Sequence, residues 1–209
     1  MIIEGPLINA TFIERPNRFI TIIEINGELH RSHLPDPGRL KELLTPNAKL
    51  LVRPAPQVSD RKTLFSTVMV EHKGQLISLV STLPNKFIDH ALKNNKIPIL
   101  RPYTFIRSEI TVKNHRFDFL LNDNKANKFY LEVKSVTLVE NGIAKFPDAI
   151  TRRGMNHAKA LMNLVSKGFQ AGILFVCQRP DATSFCPMWD RDPKFAMALS
   201  DAYKAGVKV

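Results

Sequence analysis

The chain has 209 residues, 44% hydrophobic and 23% charged, enough for one large or two small domains with packed cores. Its net charge of +11 and pI near 9.8 favour polyanionic partners, nucleic acid first and acidic membrane surfaces second. Only two cysteines, Cys177 and Cys186, an N-terminus, MIIEGPLINA, that lacks a basic lead and a long apolar segment, and no apolar run of membrane-spanning length argue against a disulfide framework, a signal peptide or a membrane span, and predict a cytoplasmic protein.

Residues 5–80 read as short strands separated by turns. Leu7–Ile13 and Phe19–Ile25 come first, and Asn26-Gly27 is a two-residue hairpin signal leading into Glu28–His33. The loop HLPDPGRL breaks the pattern, and Leu40–Leu44 has the makings of a single helical turn. Lys49–Val52, Phe65–His72 and Leu76–Val80 complete a set that suits a small OB-like barrel. Arg31, His33, Arg39, Arg53, Arg61 and Lys62 fall in or beside its loops, either as a solvated rim or as a groove that tracks a phosphate backbone.

The strand pattern stops at Thr82-Leu83-Pro84-Asn85. A helix is predicted from about Asn85 to Asn94, with Phe87, Ile88, Ala91 and Leu92 at helical spacing and Asn85 as its cap. Ser108–Val112 and Arg116–Leu121 read as a hairpin across Lys113-Asn114-His115. Alternation puts Phe117, Phe119 and Leu121 on one face, Arg116 and Asp118 on the other. Strand Lys128–Val136 places Tyr130, Glu132, Lys134 and Val136 together on one face. Phe146-Pro147-Asp148 is predicted to open a helix reaching about Lys167, with Gly168 just past its end. Gln170–Cys177 reads as a strand buried on both faces, Asp192-Pro193 as a helix start, and Val207–Val209 as an edge strand. Hairpin, strand, helix, strand, helix is an α/β arrangement with a mixed sheet.

Four acidic-x-Lys triplets occur, beginning at Glu71, Asp123, Glu132 and Asp192. Three lie at a hairpin end, a polar loop and a helix start, where charges are ordinary. Glu132 and Lys134 alone stand inside an apolar strand, preceded by a second apolar strand that carries Asp118. Two carboxylates held close repel, and a hard cation such as Mg²⁺ or Mn²⁺ relieves the repulsion. Asp118, Glu132 and Lys134 are therefore candidate catalytic residues for metal-assisted phosphodiester chemistry, with Glu109, one strand earlier, as a third candidate carboxylate. The alternative is a buried salt bridge between Lys134 and one of the acids. Arg152 and Arg153, at the start of the long helix, and His157, four residues after Arg153, are candidates for phosphate contact, with a hydrogen-bonded helix histidine as the alternative for His157.

Five motifs in order, RSEI, RFDFLL, YLEVKSVTL, FPDAITRRG and HAKAL, with HLPDPGRL and RKT upstream, closely resemble the sugar fermentation stimulation protein A family over nearly the whole chain. The resemblance implies two domains: an OB-like, nucleic-acid-binding barrel over residues 1–82 and a PD-(D/E)xK nuclease-like α/β domain over 83–209. It further implies DNA binding, double- or single-stranded, without marked sequence preference, and a regulatory link to sugar (maltose) metabolism in bacteria. Asp118, Glu132 and Lys134 match the nuclease-type motif, and Glu109 the acid of the preceding strand. Asp148, Thr151, Arg153, Gly154 and His157 match the segment after the lysine strand. In the first helix of the nuclease domain the family has a glutamate where this chain has His90, preceded by Asp89. The expected function is a Mg²⁺- or Mn²⁺-dependent DNA nuclease, or a catalytically silent, non-specific DNA-binding regulator on the same fold. Arg31, Arg39, Arg61, Lys62, Arg116, Arg152, Arg153 and His157 are the expected DNA contacts, and a homodimer stays open.

Overall fold

The computed structural model describes residues 3–56 and 62–209. The chain divides into two compact units, Met1–Leu83 with Gln178–Pro180, and Pro84–Cys177 with Asp181–Val209.

In the first unit six strands run β1 (Ile8–Asn17), β2 (Ile20–Ile25), β3 (Glu28–His33), β4 (Lys49–Pro54), β5 (Phe65–His72) and β6 (Gln75–Ser78). Their order is β3-β2-β1-β4-β5-β6, and a parallel pairing of β3 with β5 through Ser32↔Phe65 and His33↔Ser66 closes the first five into an OB-like barrel. Phe12, Ile23, Leu34, Leu50, Val52 and Val70 fill it. Near the closing seam, Thr67 Oγ1 lies 2.9 Å from both Thr21 Oγ1 and Ser32 Oγ, so the three buried hydroxyls satisfy one another. Asn26 and Gly27 adopt φ of 53° and 84°, as the predicted tight hairpin requires. Leu44 N donates to Leu40 O at 2.8 Å, a single isolated turn. The Arg15 guanidinium fastens the HLPDPGRL loop by donating to the carbonyls of Gly38 and Arg39, both at 2.7 Å.

The second unit begins with α1 (Leu83–Lys93) and continues through β7 (Tyr103–Val112), β8 (His115–Asp123), β9 (Lys128–Val136), β10 (Val139–Glu140), β11 (Ile143–Phe146), α2 (Arg152–Val165), β12 (Gln170–Cys177), β13 (Ser184–Pro187) and α3 (Pro193–Lys204). The main sheet has the order β12-β9-β8-β7, with β12 parallel to β9 and the other pairs antiparallel: a mixed sheet. Helices α2 and α3 cover one face, packing on Leu120, Tyr130, Ala171 and Ile173, while Ile88 of α1 packs on the other with Phe119, Leu121, Phe129 and Val133. Residues of β12 enter both clusters, which explains its unbroken apolar run. Among the described residues no helix is long and apolar enough to cross a membrane.

Three local expectations need correction. Residues 143–146, at the edge of the predicted long helix, form β11, which pairs in parallel with β13 through Ile143↔Ser184 to Phe146↔Pro187, so the helix starts only at Arg152. Strand β7 starts at Tyr103, five residues before the predicted Ser108, with a register shift between Phe105 and Arg107 masking its alternation. Phe117 does not share a face with Phe119 and Leu121. It packs in the α2–α3 cluster, because β8 is irregular here: its ladder to β9 ends at Phe119↔Leu131, and neighbouring Glu109 of β7 has φ 54°.

Candidate metal and active site

Where the β8–β9 ladder ends, a side chain takes over the backbone's work. Val133 N donates to Asp118 Oδ2 at 2.6 Å, and the Asn85 amide of α1 donates to Asp118 Oδ1 at 2.6 Å. Both Asp118 oxygens are thus anchored, and the carboxylate is held beside the Glu132–Val133 peptide. Asn85, expected to cap α1, instead lies in the first turn of the helix and reaches the next strand hairpin.

Glu132 is 3% exposed. Its Oε1 accepts from Lys134 Nζ at 2.5 Å and pairs with His157 Nδ1 of α2 at 2.5 Å. Its Oε2 is buried with no hydrogen-bond partner. Burial pushes the Asp118 carboxyl above its ordinary range, and the Glu132 charge adds to it; the Val133 N–H, Lys134 and Asn85 oppose this without cancelling it. Burial acts on Glu132 in the same sense, but the His157 bond and the charge of Lys134 outweigh it and hold that carboxyl below its ordinary range. The pair thus holds one firmly ionised acid and one that resists ionisation.

A divalent cation fits this donor set. It would meet the partnerless Oε2 of Glu132 and lower the cost of a second negative charge on Asp118. The expected third carboxylate does not join. Glu109 is 70% exposed at its side chain and lies 3.9 Å from Arg116, because its positive φ turns it out of the strand's regular alternation. Asp89 pairs with Lys93 at 2.6 Å, and His90 is exposed near the end of α1. No cluster of three or more metal-binding side chains forms among the described residues, so water and substrate oxygens would complete the coordination shell.

The expected DNA contacts are spread over both units. Arg31, Arg39 and Lys62 are exposed on the first, while Arg61 lies outside the described residues. Arg116 and the Arg152–Arg153 pair are exposed on the second. His157 takes the second of the two readings open to it, a hydrogen-bonded helix histidine. It is 4% exposed, with its ring 5.8 Å from Phe117 and its Nδ1 on Glu132, so it orients a carboxylate rather than facing solvent. The FPDAITRRG segment just before it builds the start of α2. Thr151 Oγ1 caps Gly154 N at 3.0 Å, and Asp148 accepts from Arg191 at 2.8 Å. A Cβ on Gly154 would stand 2.7 Å from Thr151 Cγ2, so glycine is required there. Asp192, read as the cap of α3 alone, also accepts from Thr151 N at 2.8 Å and ties the two helix starts together. No sequence signal marks that second bond, which spans 41 residues.

The model for the sugar fermentation stimulation protein RE domain matches residues 82–209, and that for the SfsA N-terminal OB domain matches residues 13–79. A sugar fermentation stimulation protein homolog from Moorella thermoacetica is 42% identical over 97% of this chain and 88% of its own length. The chain belongs to the sugar fermentation stimulation protein family. A homolog from Clostridium botulinum is 43% identical over the full chain and 90% of its own length. Among solved structures, Pyrococcus furiosus SfsA in complex with Ca²⁺ superposes with a TM-score of 0.87 at 29% identity, covering 98% of this chain and 87% of that one. The family's OB and α/β organisation is therefore that of this chain.

Proposed function

We propose that this sugar fermentation stimulation family protein binds DNA without marked sequence preference and hydrolyses its phosphodiester backbone with Mg²⁺ or Mn²⁺ at Asp118, Glu132 and Lys134. The observation that carries the reading is the buried, partnerless Oε2 of an ionised Glu132 beside an Asp118 whose ionisation is resisted. A solved relative is described in complex with Ca²⁺, a hard cation with the oxygen preference of Mg²⁺, which supports a divalent site on this fold.

Asp118 and Glu132 Oε2 would hold the ion, which when bound polarises a phosphate oxygen and lowers the pKa of water. The protein's own groups do the rest. Lys134 donates one N–H to Glu132 Oε1 and keeps two for a phosphate oxygen or an attacking water. His157 Nδ1–H donates to the ionised Glu132 and fixes its rotamer, and Asn85 does the same for Asp118. Exposed Arg31, Arg39, Lys62, Arg116, Arg152 and Arg153 would contact backbone phosphates, which position DNA without reading its sequence.

A second reading, a catalytically silent DNA-binding regulator of sugar (maltose) metabolism, is favoured by the Lys134–Glu132 ion pair and by the lack of a third carboxylate among the described residues. Incubation of the purified protein with circular, linear, single-stranded and branched DNA plus Mg²⁺ or Mn²⁺ separates the two. The nuclease reading expects cleavage by wild type and none by Asp118→Ala. Identical behaviour of the two proteins on every substrate leaves the silent regulator.

A further inference from the structure

Beside the carboxylates, the β7–β8 hairpin and the outer side of α2 enclose an open groove of about 400 Å³ within the second unit. Lys113 and His115 line it from the hairpin, and Asn156, Lys159, Asn163 and Lys167 from the α2 side. Helical spacing makes the α2 contribution a single stripe. Asn156, Lys159 and Asn163 follow at three- and four-residue steps, and Lys167 continues the line just after the helix ends.

Charge is what distinguishes this groove from ordinary surface. An acidic residue one turn from a helix lysine would pair with it and compete with an anionic ligand. Helix α2 contains no acidic residue, and among the described residues no acid lines the groove and Lys113, Lys159 and Lys167 make no ion pair. All three are exposed, so their charges are available to a ligand. The asparagine amides between them add neutral donors suited to phosphate oxygens. The inner wall includes Phe117, which precedes Asp118 in sequence and lies 5.8 Å from the His157 ring that holds Glu132. His115 stands edge-on to the same ring at 6.1 Å. Two residues of the groove lining, His115 and Phe117, thus lie against the histidine that holds Glu132.

We infer that this groove binds the sugar-phosphate backbone of duplex DNA and delivers it to the Asp118–Glu132 site, an inference that rests on the DNA-binding reading above. The dimensions agree. Asn156 to Asn163 spans roughly 10 Å of helix, room for about two phosphates at the roughly 6–7 Å that separates neighbours along one strand. A strand so placed runs toward the histidine that holds Glu132, and the contact reads charge and spacing, not bases.

The test is the salt dependence of affinity for a mixed-sequence DNA duplex, with Ca²⁺ present. Three proteins are compared: wild type, the triple variant Lys113→Gln/Lys159→Gln/Lys167→Gln, and a charge-matched control, Lys125→Gln/Lys128→Gln/Lys204→Gln, whose lysines are exposed outside the groove. The groove variant is expected to lose roughly 100-fold in affinity at about 0.1 M salt and to shallow the slope of log K against log[salt] by about 2–3, with Lys159→Gln alone removing about 1. Unchanged melting temperatures establish that these exposed substitutions leave the fold intact. If wild type binds and the groove variant matches it, or the control loses as much, the groove is not the site while DNA binding stands. If wild type binds no duplex DNA, the functional reading fails and the groove assignment with it. Tighter binding of duplex RNA than of DNA, lost in the groove variant, also overturns it.

Discussion

Asp118 and Glu132 are neighbours whose carboxyls are driven in opposite directions, so the same conservative change has opposite consequences. Asp118 has a raised value in the fold, so its ionisation weakens folding as pH rises from its ordinary value through the raised one. Asp118→Asn keeps the shape and can still accept from Val133 N. Without divalent ions near neutral pH it is expected to raise the melting temperature by about 2–4 °C, roughly 1 kcal/mol in a chain of this size. A melting temperature below that of wild type would mean that the hydrogen bonds of the carboxylate outweigh its burial. Glu132 is the reverse: its lowered value supports folding above about pH 4.5, and that support is lost as pH falls through the lower folded value. Glu132→Gln leaves Lys134, only 13% exposed at its side chain, without its anion, and is expected to cost about 3–5 kcal/mol near neutral pH. Denaturant titrations near pH 7 and at about pH 3 should show the gap between wild type and Glu132→Gln narrowing in acid. That Lys134 shares a strand face with Glu132 is readable from a two-residue spacing. The hydrogen-bond partners that anchor the two carboxyls, Asn85 and His157, lie 33 and 25 residues away and leave no local trace.

At the scale of elements, the site depends on where α2 begins. His157 is fixed over Glu132 only if the first turn of α2 is held, and that turn is held by Thr151, by Gly154 packed against it, and by Asp192 from the start of α3. Asp192→Ala removes an acceptor from two helix starts at once. It is expected to cost about 2–4 kcal/mol, twice an ordinary cap, measured by denaturant unfolding, whereas Asp192→Asn should recover part of the loss. A cost of a single cap would show that the bond to Thr151 N is dispensable. The major elements were legible because they are long or strongly patterned, such as β8, β9, β12 and the Asp192-Pro193 start of α3. The short strands β10, β11 and β13 were not: two to four residues carry no period, and β11 finds its parallel partner only across some forty residues.

At the scale of the molecule, a surplus of eleven positive charges acts on any polyanion, while the proposed divalent site would act on an ion, and the two can be measured apart. Mn²⁺ or Ca²⁺ bound by the folded state alone must raise stability with concentration, by about 2.7 kcal/mol at a hundredfold excess over Kd. Wild type is expected to show this rise in melting temperature and Asp118→Ala to lack it, with no DNA present. An equal rise in both places any ion elsewhere.

Residue order alone determined a closed barrel of short strands followed by an α/β unit, and it brought Asp118, Glu132 and Lys134 onto neighbouring strands. Those outcomes follow from turn chemistry and two-residue alternation, which are local. Tertiary structure alone decided that Glu109 faces solvent, that His157 is buried on Glu132, and that one Glu132 oxygen is left without a partner. A positive φ inside a strand and hydrogen bonds between distant elements decide these. Neither is written in the spacing of residues, because each exists only once the sheet has met its helices.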